Sequence, residues 1–185
     1  MKLFISSLCF VFLFVSQSYS QILLKAGPSL TVAYSDQSAT VFPLFGAEVS
    51  AELRIVKHFS INAAINAHYG AHKTAFDSTL RRKDFLFGGQ IDARYHFREV
   101  FDGSFVFLGF DLKRLNARNY FRPTPEDPVP TFQDLEYNIV LGWGHSFQNA
   151  SGRVIAPSLA VGFTPDELNE YPVSVRAALA VSLNH

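Results

Sequence analysis

From Ile22 onward the chain alternates apolar and polar residues, and that alternation is interrupted and resumed until eight segments have passed. The last of them, in YPVSVRAALAVSLNH (171–185), places Val173, Val175, Ala177, Leu179, Val181 and Leu183 at every second position. Ser174, Arg176, Ala178, Ala180, Ser182 and Asn184 fall between them. A strict period of two predicts a β-strand with one apolar and one polar face. The same reading applies to 22–34, 44–55, 59–70, 85–97, 104–115, 135–147 and 153–163. The segment 104–115 is the least clean, because Phe105 and Phe107 share the otherwise polar face with Gly109, Asp111 and Lys113.

The connections alternate in length. Val56-Lys57-His58, REVFDG (98–103) and QNASG (148–152) are short turns, whereas 35–43, 71–84, 116–134 and 164–172 are mostly longer and more polar. Short turns on one rim and long loops on the other predict an all-β, eight-stranded antiparallel up-and-down transmembrane β-barrel. Segments of about 11–13 residues are long enough for tilted strands to cross a bilayer. An even strand number puts both termini on the short-turn side, which is the periplasm for such a barrel.

The charges decide which face meets lipid. No Lys, Arg, Asp or Glu stands on the apolar face of any segment. The polar face carries Lys25, Arg54, Arg94, Lys113 and Arg176 against Glu48, Glu52, Asp92, Asp111 and Glu136, five of each sign. An Arg facing lipid at the midplane costs about 2–4 kcal/mol, so the apolar face is expected outside and the charges inside. Eight strands enclose a lumen just wide enough to be filled by side chains. Two layers of inward salt bridges are expected: Glu48, Asp111, Lys113, Glu136 and Arg176 nearer the loops, and Lys25, Glu52, Arg54, Asp92 and Arg94 nearer the turns. The inverted alternative is a soluble, lipocalin-like ligand carrier. Its outer face would then hold many glycines and alanines, such as Gly27, Gly46, Gly142, Ala156 and Ala180, where a solvated surface needs charge.

Composition adds two constraints. MKLFISSLCFVFLFVSQSYS (1–20) has a basic start at Lys2, a short apolar core and a small-x-small end at Ser18-Tyr19-Ser20, so it reads as a cleaved signal peptide before a barrel domain of 21–185. The one cysteine, Cys9, leaves with it, which excludes disulfides and thiolate chemistry. After cleavage 15 Lys and Arg face 16 Asp and Glu, and this balance gives no pull toward nucleic acid.

With that pattern in place, from ILLKAGPSLTVAY (22–34) to YPVSVRAALAVSL (171–183), the chain resembles the small outer-membrane β-barrels of the OmpA-transmembrane-domain and OmpX type. The resemblance implies the outer membrane of a didermic bacterium, a solid interior rather than an open pore, and a structural or surface-interaction role carried by external loops. It implies no cofactor. The chain departs from that pattern by ending Leu183-Asn184-His185 instead of in an aromatic residue.

Candidate chemistry is sparse. Arg81-Arg82-Lys83, in the second long loop, reads either as a contact for lipopolysaccharide phosphates or as a solvated charge run. The longest loop, 116–134, carries prolines at 123, 125, 128 and 130 with Tyr120, Phe121 and Phe132. It reads as a stiff contact for another envelope or extracellular protein, or as idle surface. A lipid A-modifying enzyme is the alternative function. His72, Asp77 and Ser78 share a loop on the outer side, whereas His145 and Ser146 are neighbours on one strand and so point to opposite faces. Asp166, Glu167 and Glu170 read as solvated, and His58, His68 and His96 lack the spacing of a metal site.

Overall fold

The computed structural model describes residues 22–35, 40–73, 81–120, 131–164 and 171–183; the stretch 1–20, expected to be a signal peptide, lies outside them. Eight strands follow in chain order: β1 (Ile22–Ser35), β2 (Thr40–Val56), β3 (Phe59–Lys73), β4 (Arg81–His96), β5 (Gly103–Tyr120), β6 (Thr131–Gln148), β7 (Val154–Phe163) and β8 (Val173–Ser182). Each pairs antiparallel with its neighbours, and β8 returns to β1 to close the barrel. Closure leaves no unpaired edge, which lipid, having no water to hydrogen-bond the backbone, requires.

The register fixes the shape. A line of directly paired residues starting at Phe59 runs through Tyr95, Val106, Trp143, Leu159, Ala177, Leu30 and Phe45, and reaches β3 again at Tyr69, ten residues from its origin. Eight strands with that stagger tilt by about 40° and place the Cα atoms about 8 Å from the axis. Each residue then climbs about 2.5 Å along the axis, and each step to the next strand along the pairing line about 3 Å.

On this scale two outward aromatic rings lie about 25 Å apart, the height of a barrel's apolar band. Phe59, Tyr95, Phe97 and Phe147 form the turn-side ring, and Phe45, Tyr69, Phe85, Tyr137 and Phe163 the loop-side ring, all of them exposed. Ile61, Ile65, Ile91, Leu108, Phe110 and Leu141 are exposed between them. The barrel thus carries its apolar face outside, as a membrane-spanning strand set must.

Five strands begin or end at least three residues farther into the loops than the alternation predicts. β2 starts at Thr40, β3 continues to Lys73, β4 starts at Arg81, β5 continues to Tyr120 and β6 starts at Thr131. The cause is pairing: Arg81 meets both Lys73 and Tyr120, and Arg118 meets Thr131, so the ladder continues beyond the apolar band. Arg81-Arg82-Lys83 therefore belongs to a strand, and only 121–130 of the longest loop separates β5 from β6.

Depth sets the cost of a misplaced charge. Ile65 is 60% exposed and sits near mid-height of the apolar band. Ile65→Arg is expected to reduce unfolding free energy in lipid vesicles by about 2–4 kcal/mol, and Phe97→Arg at the turn-side ring by about 0–1 kcal/mol. Chemical-denaturant titration of refolded protein checks this; equal costs at both depths would contradict the membrane placement.

Candidate functional site

The inward faces of β1 to β4 bring a charged cluster together nearest the turns. Glu52 on β2 is 2% exposed and receives four partners. Its Oε2 accepts from Lys25 Nζ and from Arg94 Nη1 at 2.9 Å; its Oε1 accepts from Ser60 Oγ at 2.6 Å and lies 3.1 Å from His96 Nε2. Arg94 also donates from Nε to Asp92 Oδ1 at 2.6 Å. Asp92 Oδ2 accepts from Asn62 Nδ2 at 3.0 Å and Gln90 Nε2 at 2.8 Å. The two inward phenylalanines of β5 belong to the same layer: the Arg94 guanidinium lies 5.1 Å from the Phe105 ring centre and 5.4 Å from that of Phe107. Gly144 and Gly142 stand opposite them, where a Cβ would come within 2.4 Å of the Phe105 ring and 2.2 Å of the Phe107 ring. The irregular segment is thus a local solution: aromatic rings fold over neighbouring glycines and offer their faces to a buried cation.

Ser60, His96 and Glu52 are the residue types of a hydrolytic triad, but their arrangement is different. Ser60 donates directly to Glu52, His96 Nε2 faces both at 3.0 and 3.1 Å, and His96 Nδ1 has no protein partner among the described residues. A triad needs one imidazole nitrogen on the hydroxyl and the other on the acid. Both Ser60 and His96 are also buried, so substrate cannot reach the hydroxyl.

A second layer lies higher in the lumen. Lys113 pairs with Asp111, Arg176 donates to Gln90, and Arg176 Nη1 lies 3.7 Å from Glu48 Oε2. Ser29 Oγ and His68 Nε2 are 2.9 Å apart. Thr31, Asp111, Lys113, Ser174 and Arg176 help line a cavity of about 10 Å³, room for one water.

Above it the lumen closes with an apolar cap, which the sequence reading missed. Ala33, Phe42, Leu44, Leu86, Leu115, Ala117 and Tyr171 form one buried cluster. Leu44, Leu86 and Leu115 hold the same alternation as Glu48, Asp92 and Lys113, so the signal was there at the loop ends of the assigned segments, where the inward face turns from charged to apolar. Tyr171 had no such signal, because it lies outside any strand. Its ring packs edge-on against Phe42 at 5.4 Å, its hydroxyl donates to Asp84 Oδ2 at 2.6 Å, and its amide points at Glu136 Oε2 at 3.4 Å. Arg82 completes this corner, donating from Nε to Asp84 Oδ1 at 2.7 Å and from Nη2 to the Tyr171 hydroxyl at 3.3 Å.

Arg82 is therefore a lumen residue and not a surface contact, a correction forced by strand parity: on β4 it points opposite to Lys83. Lys83 is exposed on the outer face, and so is Arg114 on β5, held by Gln133. Backbone register continues that face to Lys73, Arg81 and Arg118, since Arg81 pairs with Lys73 and Lys83 with Arg118. These positions lie at the loop-side aromatic ring or within about 10 Å beyond it. Arg54, the remaining inward charge, is half-buried at the turn-side mouth.

The other candidates are scattered. The His72 backbone lies on β3 opposite Arg82, while Asp77 and Ser78 are outside the described residues, as are 121–130 and Asp166, Glu167 and Glu170. Ser146 is buried, and His145 on the opposite face meets Ser104 Oγ through Nδ1 at 2.9 Å. His58 Nδ1 lies 3.1 Å from the His96 carbonyl.

No protein-family model matches the chain, and no curated protein matches its sequence. Solved structures do. Neisserial surface protein A (NspA) aligns with TM-score 0.63 at 12% identity, covering 90% of this chain and 99% of its own. Ail, the attachment invasion locus protein of Yersinia pestis, aligns with TM-score 0.62 at 7% identity in its complex with the heparin analogue sucrose octasulfate, covering 88% and 97%. The N-terminal β-barrel domain of Pseudomonas aeruginosa OprF aligns with TM-score 0.50 at 15% identity, covering 88% and 97%. The fold is that of the small outer-membrane β-barrels. At these identities the likeness concerns architecture, and the side-chain networks are this chain's own.

Breaking a buried charge network by removing one member costs about 3–5 kcal/mol. Glu52→Ala leaves Lys25 without its ion-pair partner and Arg94 with Asp92 alone, and is expected to lower stability by that amount while Glu99→Ala on the exposed turn changes it by less than about 0.5 kcal/mol. The denaturant midpoint, or the temperature of the gel-mobility shift on heating, measures the difference.

Proposed function

We propose that the protein is a sealed, non-enzymatic surface-interaction barrel of the bacterial outer membrane, with residues 1–20 as its cleaved signal peptide and both termini in the periplasm. In this reading its outward basic face on β3 to β5 meets the phosphates of lipopolysaccharide. The observation that carries the reading is the one-sided collar: Lys83 and Arg114 are exposed at headgroup height, Lys73, Arg81 and Arg118 share their face, and no Asp or Glu stands at an outward position of β3, β4 or β5 among the described residues. Mixed surface charge would be enough for solubility; a single-sign patch against a polyanionic leaflet supplies charge-assisted hydrogen bonds. The apolar cap supports a closed lumen, and the inaccessible Ser60 supports a role without catalysis. Ail, a barrel of this architecture, has been seen with a polysulfated sugar, which supports polyanionic saccharides as the ligand class. The segment between β5 and β6 offers a further contact for an envelope or extracellular protein.

The test is a double charge reversal, Lys83→Glu with Arg114→Glu. Lipopolysaccharide affinity in nanodiscs is expected to fall by about tenfold or more, with the wild-type affinity weakening as salt rises. The folded fraction should remain unchanged. Unaltered affinity in the double variant would remove the collar from the function.

A further inference from the structure

The opposite rim carries a second feature that the surface role does not use. A cavity of about 600 Å³ opens between the start of β1, the end of β2 and the turns 98–103 and 148–152, within the size range of small-molecule sites. Ile22, Leu23, Val100 and Val154 give it apolar walls, Phe101 flanks it, and Arg54 projects from β2 into it. Among the ten expected inward charges and the Arg82–Asp84 pair, Arg54 stands apart: it has no ion pair or hydrogen bond among the described residues, while the rest are held by one another, by Gln90 or by Tyr171.

We propose that this vestibule binds the free carboxylate end of a short peptide, with Arg54 as the anchor. A guanidinium presents two parallel N–H groups to a carboxylate, and a half-buried position strengthens that pairing over one in bulk water. Asp102 and Glu99, the latter paired with Lys57 at 3.2 Å, stand on the same cavity, and Asp102 opposes a multiply charged anion such as a phosphate. Asp102 matches instead the amine of a zwitterion whose carboxylate lies deeper. Peptide side chains would take the apolar walls.

Two backbone irregularities converge here. The β2–β3 register slips between Arg54 and Val56, a bulge that re-aims the side chain beside it. Phe101 has φ 73°, in the left-handed region that bulky residues rarely adopt. Such strain persists only where its surroundings hold it in place. They do: the Val100 amide donates to the Lys57 carbonyl at 3.1 Å, and Asn149 Oδ1 accepts from the Ser151 and Arg153 amides at 3.0 and 2.9 Å, bracing the facing turn. The bulge, the positive φ and these hydrogen bonds together shape the rim of the cavity.

Carboxylate-ended peptides on this side of the membrane have two sources, cell-wall stem peptides and the C-termini of exported chains. The experiment uses full-length protein in nanodiscs and fluorescence anisotropy with three labelled probes: Ala–D-Glu–diaminopimelate–D-Ala, the all-L peptide Ala-Glu-Lys-Ala, and the C-terminal amide of the latter. Free acids are expected to bind about tenfold or more tightly than the amide, equivalent to one charge-assisted contact. Arg54→Gln should remove that preference, and Arg54→Lys should keep part of it. Tighter binding of the stem peptide identifies the cell wall as the source, and tighter binding of the all-L acid identifies protein chain ends. Equal binding of acid and amide, no binding at millimolar peptide, or wild-type behaviour of Arg54→Gln overturns the proposal. If Arg54→Gln does not fold, the acid–amide comparison on the wild-type protein still decides. The result is independent of the collar, since Lys83 and Arg114 lie at the other end of the barrel.

Discussion

Every backbone amide and carbonyl within a bilayer must find a partner inside the protein, and here that requirement is met by closing eight strands with a stagger of ten residues. The rest follows from the radius that these two integers impose. At about 8 Å from Cα to axis the lumen cannot hold a water column and side chains together. Each inward position is therefore a packing problem, and each inward polar group must find its partner among the few residues at its own height.

The chain solves that problem in layers of different chemistry. Near the turns, Glu52 draws in Lys25, Arg94, Ser60 and His96, and the Phe105 and Phe107 rings cover the guanidinium. At mid-height, Arg176, Glu48, Gln90, Lys113 and Asp111 repeat the device more loosely. At the loop end apolar packing takes over, and Tyr171 ties a loop into the mouth through Asp84. Buried ion pairs repay their desolvation only with good geometry and added hydrogen bonds, which is why the tightest layer is also the one with the most neutral donors. The apolar cap needs no such compensation and excludes water from the layers beneath.

The two rims differ for a related reason. Strands β3 to β6 continue beyond the apolar band, so their outward residues are released from the lipid requirement and can carry cations. On the turn side the strands stop close to the aromatic ring, and short turns fold partly over the lumen. One rim presents a charged wall, the other a small cavity with a lone guanidinium at its base.

Much of this was legible as pattern. Period-two alternation marked eight strands, and the absence of charge from one face told which side meets lipid, because lipid penalises a charge at any outward position whatever its neighbours. That is a local rule, readable one residue at a time. It stopped being sufficient where strands leave the membrane: the alternation weakens there, and Arg82 looked like its neighbour Lys83 until pairing with β3 and β5 put the two on opposite faces. Partners were harder still. That Glu52 meets Arg94, that Tyr171 reaches Asp84, and that Arg54 is left to an open cavity depend on which residues share a height around a tilted cylinder. The sequence by itself determined the barrel and its lipid face, since hydrophobic burial against lipid acts on each side chain separately. Only the tertiary structure decided the networks, the cap and the vestibule, since the stagger that sets residue heights belongs to the closed sheet and to no single strand.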